Sequence, residues 1–249
     1  MKKWRSILAG AALCCAVAWG LSVMMRREPY LAADSTVLLP ETKYVALTFD
    51  DGPRADSTAR LLDGLAERGV KATFFLIGEQ IEANAPLVQR MAAEGHQVGN
   101  HTWSHVRLAE AEAATVTEQL AKTDMALRTL LGEDDYWVRV PYGLIRDDQR
   151  GLFSQPLIQW SVDPEDWRLR DADQVTDFVL TNVQPGDIIL LHDSLEPSVD
   201  AALRIVDALR QQGYTFLTVR ELLDAAGVTP EAGVRYRSVK NALEDSGEA

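Results

Sequence analysis

Short apolar runs, each closed by glycine or a polar cluster, alternate along this chain with longer stretches in which apolar residues recur every three or four positions. The first run, Tyr44 to Phe49, is rich in aromatic and β-branched residues. Asp50-Asp51-Gly52-Pro53 follows at once, so it predicts a buried strand ending at Asp50. Leu61, Leu62 and Leu65 share one face of a predicted helix over 57–68, with Gly69 as its stop. Further strands are predicted over 71–77, 97–99, 137–140, 157–162, 187–191 and 215–218, and helices over 85–94, 110–131, 171–182, 198–212 and 219–225. Alternation of this kind without hairpin signals means parallel strands joined by right-handed crossovers, an α/β fold class. A (β/α) barrel and an open doubly wound sheet both fit. No Gly-x-Gly-x-x-Gly follows the first strand, so a dinucleotide-binding fold loses support. The polar stretch 227–249 predicts a loosely held C-terminal tail.

The N-terminus has a different pattern. Residues 6–25 carry no charge and are mostly Ala, Leu, Val and Met, flanked by Lys2-Lys3 and Arg26-Arg27. Twenty residues at about 1.5 Å each cover the roughly 30 Å hydrocarbon layer of a bilayer. A cleaved signal peptide has a shorter apolar core with a small-x-small site close behind it, whereas Ala32-Ala33 lies late and beyond charges. The expectation is a single transmembrane anchor over 6–25 with residues 1–5 cytoplasmic, a linker over 26–41 and a domain over 42–226 outside the cell. Secretion after signal cleavage is the alternative. Cys14 and Cys15, the two cysteines of the chain, sit together inside this run and cannot staple a distant loop.

Charge narrows the partners. The chain carries 25 basic and 37 acidic residues; five of the basic ones and none of the acidic ones lie within residues 1–27, so the remainder has a net charge of −17. That field speaks against nucleic acid as a partner. No protein partner is inferred.

Polar residues that look out of place fall just after the apolar runs: Asp50 and Asp51, His101 and His105, Arg139 and Tyr142, Asp163 and Asp166, and His192. In a (β/α) barrel such positions converge on the C-terminal face of the strands, where active sites form. Two adjacent carboxylates repel each other unless a cation neutralises one or one keeps a proton. A bare Asp-Asp-Gly is also the sequence of an Asx-type turn. His101 and His105 are four apart, which on one helical turn places both imidazoles on one face. Two imidazoles and one carboxylate make a three-ligand site with an open position, the arrangement of catalytic zinc. Asp51 is the third ligand in this reading, which leaves Asp50 free as a base.

Thr48-Phe49-Asp50-Asp51-Gly52, His101-Thr102-Trp103-Ser104-His105, Arg139-Val140-Pro141-Tyr142, Asp163-Pro164-Glu165-Asp166-Trp167 and Leu190-Leu191-His192 resemble, in order, five motifs of the polysaccharide deacetylases with a NodB-like domain, carbohydrate esterase family 4. The resemblance implies a distorted (β/α) barrel with about seven parallel strands. It also implies a divalent metal on Asp51, His101 and His105, with zinc expected and cobalt or nickel compatible with the same donors. Asp50 would be the general base, paired with and oriented by Arg139, and Tyr142 would offer its backbone N–H to the oxyanion. His192 would be the general acid and Asp166 its charge partner, with Asp166 also able to brace Arg139. Trp167 and Leu190 would wall the pocket for the acetyl methyl. Val140 stands where the family has proline, and His96 has no role in the family pattern and reads as structural.

The resemblance implies N-deacetylation of an N-acetylated cell-wall glycan, peptidoglycan first. Chitooligosaccharides or O-acetylated xylan are alternative substrates for the same machinery. An inactive sugar-binding relative is a third reading, although no metal ligand or base is missing here.

Overall fold

The computed structural model describes residues 43–246; the predicted anchor and its flanks over 1–41 lie outside the described residues. Among the described residues no helix is long and apolar enough to cross a membrane. The described residues form seven strands: β1 Lys43–Asp50, β2 Thr73–Leu76, β3 Gln97–Asn100, β4 Leu157–Ile158, β5 Ile188–His192, β6 Tyr214–Leu217 and β7 Arg235–Tyr236. The longer helices are α1 Ser57–Arg68, α2 Ala85–Ala93, α3 Ala113–Leu131, α4 Ala172–Asn182, α5 Glu196–Gln211, α6 Val219–Ala225 and α7 Val239–Ser246.

Strand β1 is central. Its side chains alternate between two faces. Val45, Leu47 and Phe49 join an apolar layer with Leu61, Leu62 and Leu65 of α1 and Ile205 and Leu209 of α5. Full burial of each such side chain contributes about 1.5–3 kcal/mol. Ala46, Thr48 and Asp50 occupy the opposite face, where Ala46 packs with Phe75, Ile158 and Ile188. The run that reads as uniformly apolar therefore presents its polar members inward.

All strand ladders are parallel, in the order β3-β2-β1-β5, with β6 pairing the first half of β1. Single bridges continue the ring from Asn100 to Val138, from Val138 to Leu157, and from Val162 to Ile189 of β5. The result is a distorted α/β barrel. Its register aligns Asp50 with Phe75 and with His192, and Leu76 with Asn100, so β1, β2, β3 and β5 end at one level.

Two expectations need correction. The strand predicted over 137–140 reduces to one bridging residue, Val138, because the Arg139 carbonyl is taken by the His101 ring and Pro141 ends the segment. The seventh strand comes instead from the predicted tail. There Arg235–Tyr236 pairs with β4, and Tyr236, Val239 and Ala242 are buried against Ile158 and Ile188. Two paired residues are too few to show an alternation, and the few apolar positions are diluted by charged neighbours.

Candidate metal centre and active site

Asp50 and Asp51 leave the end of β1 in different directions. Asp50 is buried, and its Oδ1 accepts a hydrogen bond from Arg139 Nη1 at 2.8 Å. Arg139 is fully buried: Nη1 also donates to Thr48 Oγ1, Nη2 to the Gln159 carbonyl and Nε to the Ile158 carbonyl. The guanidinium lies over the Phe75 ring, 4.2 Å from its centroid. Asp51, at φ 71°, turns its Oδ1 toward His105 Nε2 at 3.3 Å and His101 Nε2 at 3.5 Å.

His101 Nδ1 lies 2.7 Å from the Arg139 carbonyl, which can only accept, so Nδ1 carries a proton and Nε2 is the ring atom turned toward Asp51. The two histidines do not share a helical turn as their spacing suggests. Asn100 Oδ1 accepts the Thr102 N–H and Gln119 Oε1 accepts the Ser104 N–H, which bends the segment through left-handed backbone at Thr102 and His105. The imidazoles still come together, with ring centroids 4.9 Å apart.

These three residues fit a metal. Their donor atoms all lie within 4.8 Å of one another. Ligand atoms about 2.1 Å from a tetrahedral ion sit about 3.4 Å apart, which the two Asp51 contacts bracket. Asp51 Oδ1 is buried and has no hydrogen-bond partner, an arrangement that is costly unless a cation fills it. Burial pushes the Asp51 carboxyl up, but facing His101, then His105 and His192, hold it at about 2.

Across the cleft, His192 ends β5. Its Nδ1 lies 2.7 Å from Asp166 Oδ1, and its backbone N–H donates to Asp166 Oδ2 at 2.8 Å. Asp166 is fully buried, and both of its oxygens go to His192, so it does not brace Arg139. Burial lowers the His192 pKa, yet the Asp166 bond and charge, followed by Asp50 and Asp51, raise it to about 9.

Asp50, Asp51, His101, His105, Tyr142, Trp167, Leu190 and His192 line one cleft of about 510 Å³. Leu190 is buried in its wall, while Trp167 and Tyr142 are half exposed at its edge. The Tyr142 N–H donates to no described residue. Among the described residues six non-glycine ones have positive φ, and five of them, Asp51, Thr102, His105, Tyr142 and Glu165, lie in the segments that build the cleft. Strained backbone of this kind persists where surrounding contacts over-determine it.

Residues 39–155 match the family described as Polysaccharide deacetylase. The peptidoglycan-N-acetylglucosamine deacetylase of Bacillus cereus is 41% identical over 189 residues, covering 73% of this chain and 69% of that protein. The chain belongs to the polysaccharide deacetylase family. Peptidoglycan-N-acetylglucosamine deacetylase PgdA of Listeria monocytogenes is 40% identical over 194 residues, 76% of this chain, and the chain spans only 42% of that relative's length. The solved structure of peptidoglycan deacetylase PdaC from Bacillus subtilis has a TM-score of 0.73 at 37% identity, covering 76% of this chain and 93% of that one.

Within this site, three residues escape the sequence reading: Trp160 and Arg107, which line the cleft, and Asp193 beside it. Asp193 is buried, and its Oδ2 accepts from Thr58 Oγ1 at 2.5 Å, while Thr58 Oγ1 accepts the Arg54 N–H. A Cβ on Gly52 would lie 2.3 Å from Asp193 Oδ2, so only glycine lets the Asp51 loop close onto this carboxyl. Burial first, then Asp51 and Asp50, push Asp193 up to about 7. It directly follows His192, but nothing local in the sequence marks it as buried. His96 accepts the Ala72 N–H on Nδ1 and meets the Phe74 ring edge-on, away from the cleft, a structural placement.

Proposed function

We propose that this domain is a metal-dependent N-deacetylase that removes acetyl groups from N-acetylated amino sugars of a cell-wall glycan, with peptidoglycan as its substrate. The observation that carries the reading is the division of the two carboxylates: Asp51 Oδ1 faces both imidazoles, whereas Asp50 Oδ1 is held by Arg139 and its Oδ2 approaches only His101, at 3.7 Å. A divalent ion on Asp51, His101 and His105 would supply Lewis acidity to the amide carbonyl and to water; zinc suits this donor set, and cobalt and nickel tolerate it.

Asp50 takes a proton from the attacking water as its oxygen bonds to the carbonyl carbon. Arg139 fixes the carboxylate that does so. The uncommitted Tyr142 N–H donates to the developing oxyanion. His192, protonated and aimed by Asp166, gives its proton to the sugar nitrogen as the C–N bond breaks, so acetate and a free amine leave. Trp167 and Leu190 enclose the acetyl methyl. The reading extends to a membrane-anchored protein with this domain outside the cell, supported by the uncharged run over 6–25 and its basic flanks.

The test is acetate release from peptidoglycan fragments by the purified protein. The expected result is release that stops on chelation and returns when zinc or cobalt is added back, together with a thermal midpoint that falls on chelation because the ion binds only the folded site. Release indifferent to chelation and to metal would refute the mechanism.

The His192 pair sets an alkaline limit. With a pKa near 9 the imidazole stays protonated through neutrality, so kcat falls as pH rises through about 9. Asp166→Asn removes the group that holds the proton, so the alkaline limb moves toward the ordinary histidine value of 6.5, read from a kcat–pH profile. The same raised pKa adds stability that is fully present below 6.5 and lost as pH rises through about 9.

A further inference from the structure

Arg107 is a cation in the cleft without a partner of its own. Among the described arginines, its guanidinium and that of Arg54 are the two that make neither a hydrogen bond nor an ion pair. Arg54 does not line the cleft; Arg107 does. Its position is nevertheless fixed. The guanidinium lies over the Tyr142 ring, 4.1 Å from the centroid, and the Tyr142 ring lies 4.9 Å from that of His105. Arg107 is therefore two ring contacts from the candidate metal centre.

A guanidinium over an aromatic face keeps its in-plane N–H donors available for a planar anion. None of the cleft's carboxylates is bound to it. Asp50 is held by Arg139, Asp51 faces the histidines, and Asp163 Oδ1 accepts the Glu165 N–H. The chain as a whole carries a net charge of −12, a field that opposes an acidic polymer at long range. An acidic substrate thus needs a local cation at the point of docking, whereas a neutral one offers these donors only uncharged hydroxyl and carbonyl acceptors, which a guanidinium bonds more weakly than a carboxylate.

We propose that Arg107 is a specificity-determining residue whose guanidinium pairs with a carboxylate carried by the glycan within one sugar unit of the reacting acetamide. The site then takes acidic N-acetylated glycans in preference to neutral ones of equal length. This inference rests on the deacetylase reading for the position of the acetamide, and it favours a muramic-acid-containing glycan over a chitooligosaccharide.

The experiment uses the full chain loaded with zinc and three tetrasaccharides: alternating N-acetylglucosamine and N-acetylmuramic acid, the methyl ester of that glycan, and chitotetraose. Affinity is read by fluorescence of Trp160 and Trp167 at the cleft, and kcat and KM by acetate release. Wild type is expected to prefer the free acid to its ester by about tenfold, carried in Kd and KM rather than in kcat. Arg107→Ala brings that ratio near one, Arg107→Lys retains part of it, and Arg107→Glu inverts it. A wild-type ratio of one, or a ratio that survives Arg107→Ala, overturns the proposal. Preferential binding without acetate release from any glycan would overturn the deacetylase reading and leave the carboxylate site standing. Acetate release from acid and ester alike would do the reverse.

Discussion

Asp50→Asn lowers kcat for acetate release by about a hundredfold to ten-thousandfold, the range for loss of a positioned general base. The amide keeps the shape of the carboxylate and can still accept from Arg139, but it cannot take a proton from water. Asp51, His101 and His105 are untouched, so metal content by elemental analysis should match wild type. Asp51→Asn is the contrasting variant: it removes a charged donor from the cluster, and its loss of activity should be accompanied by loss of metal. If Asp50→Asn retained more than a tenth of the activity, or lost its metal, the two carboxylates would not have the separate tasks assigned to them. The same variant should lower the thermal midpoint, because the fully buried Arg139 is left facing a neutral group.

The carboxylate pair was legible as an electrostatic problem at a strand end, whereas the different neighbours of Asp50 and Asp51 come from Arg139, His101 and His105, all distant in sequence. The histidine pair was legible as a pair but not as a shape: its geometry comes from Asn100, which accepts from Thr102 and is itself anchored on Leu120 of α3 20 residues on, and from Gln119, 15 residues beyond Ser104. The long strand β1 and the leucine face of α1 were readable from period alone. Strands of one or two residues were not, because Val138 and Tyr236 are defined by partners distant in sequence rather than by any local pattern. Asp193 was missed for a related reason. Nothing about a carboxylate following His192 distinguishes a solvated surface group from one closed over by Gly52 and Thr58.

Arg139→Leu is expected to cost about 3–5 kcal/mol of stability, the range for breaking a buried ion pair by removing one partner. Three consequences add up at this position. Asp50, itself buried, loses its counter-charge, the Ile158 and Gln159 carbonyls lose their donors, and Thr48 Oγ1 loses one of its partners while still donating to the Ile189 carbonyl. Because the guanidinium ties β1 to the segment after β4, the loss falls on the closure of the barrel as well as on the base. Activity should drop with Asp50 no longer aimed. Stability and activity are separable in the double variant Asp50→Leu with Arg139→Leu. Replacing both partners with apolar side chains removes the uncompensated charge, so urea unfolding should recover much of the loss, whereas acetate release should stay at the level of Asp50→Asn or lower. A single Arg139→Leu variant as stable as wild type would show that the pair contributes nothing to the fold. A fully active one would show that Asp50 needs no orienting partner.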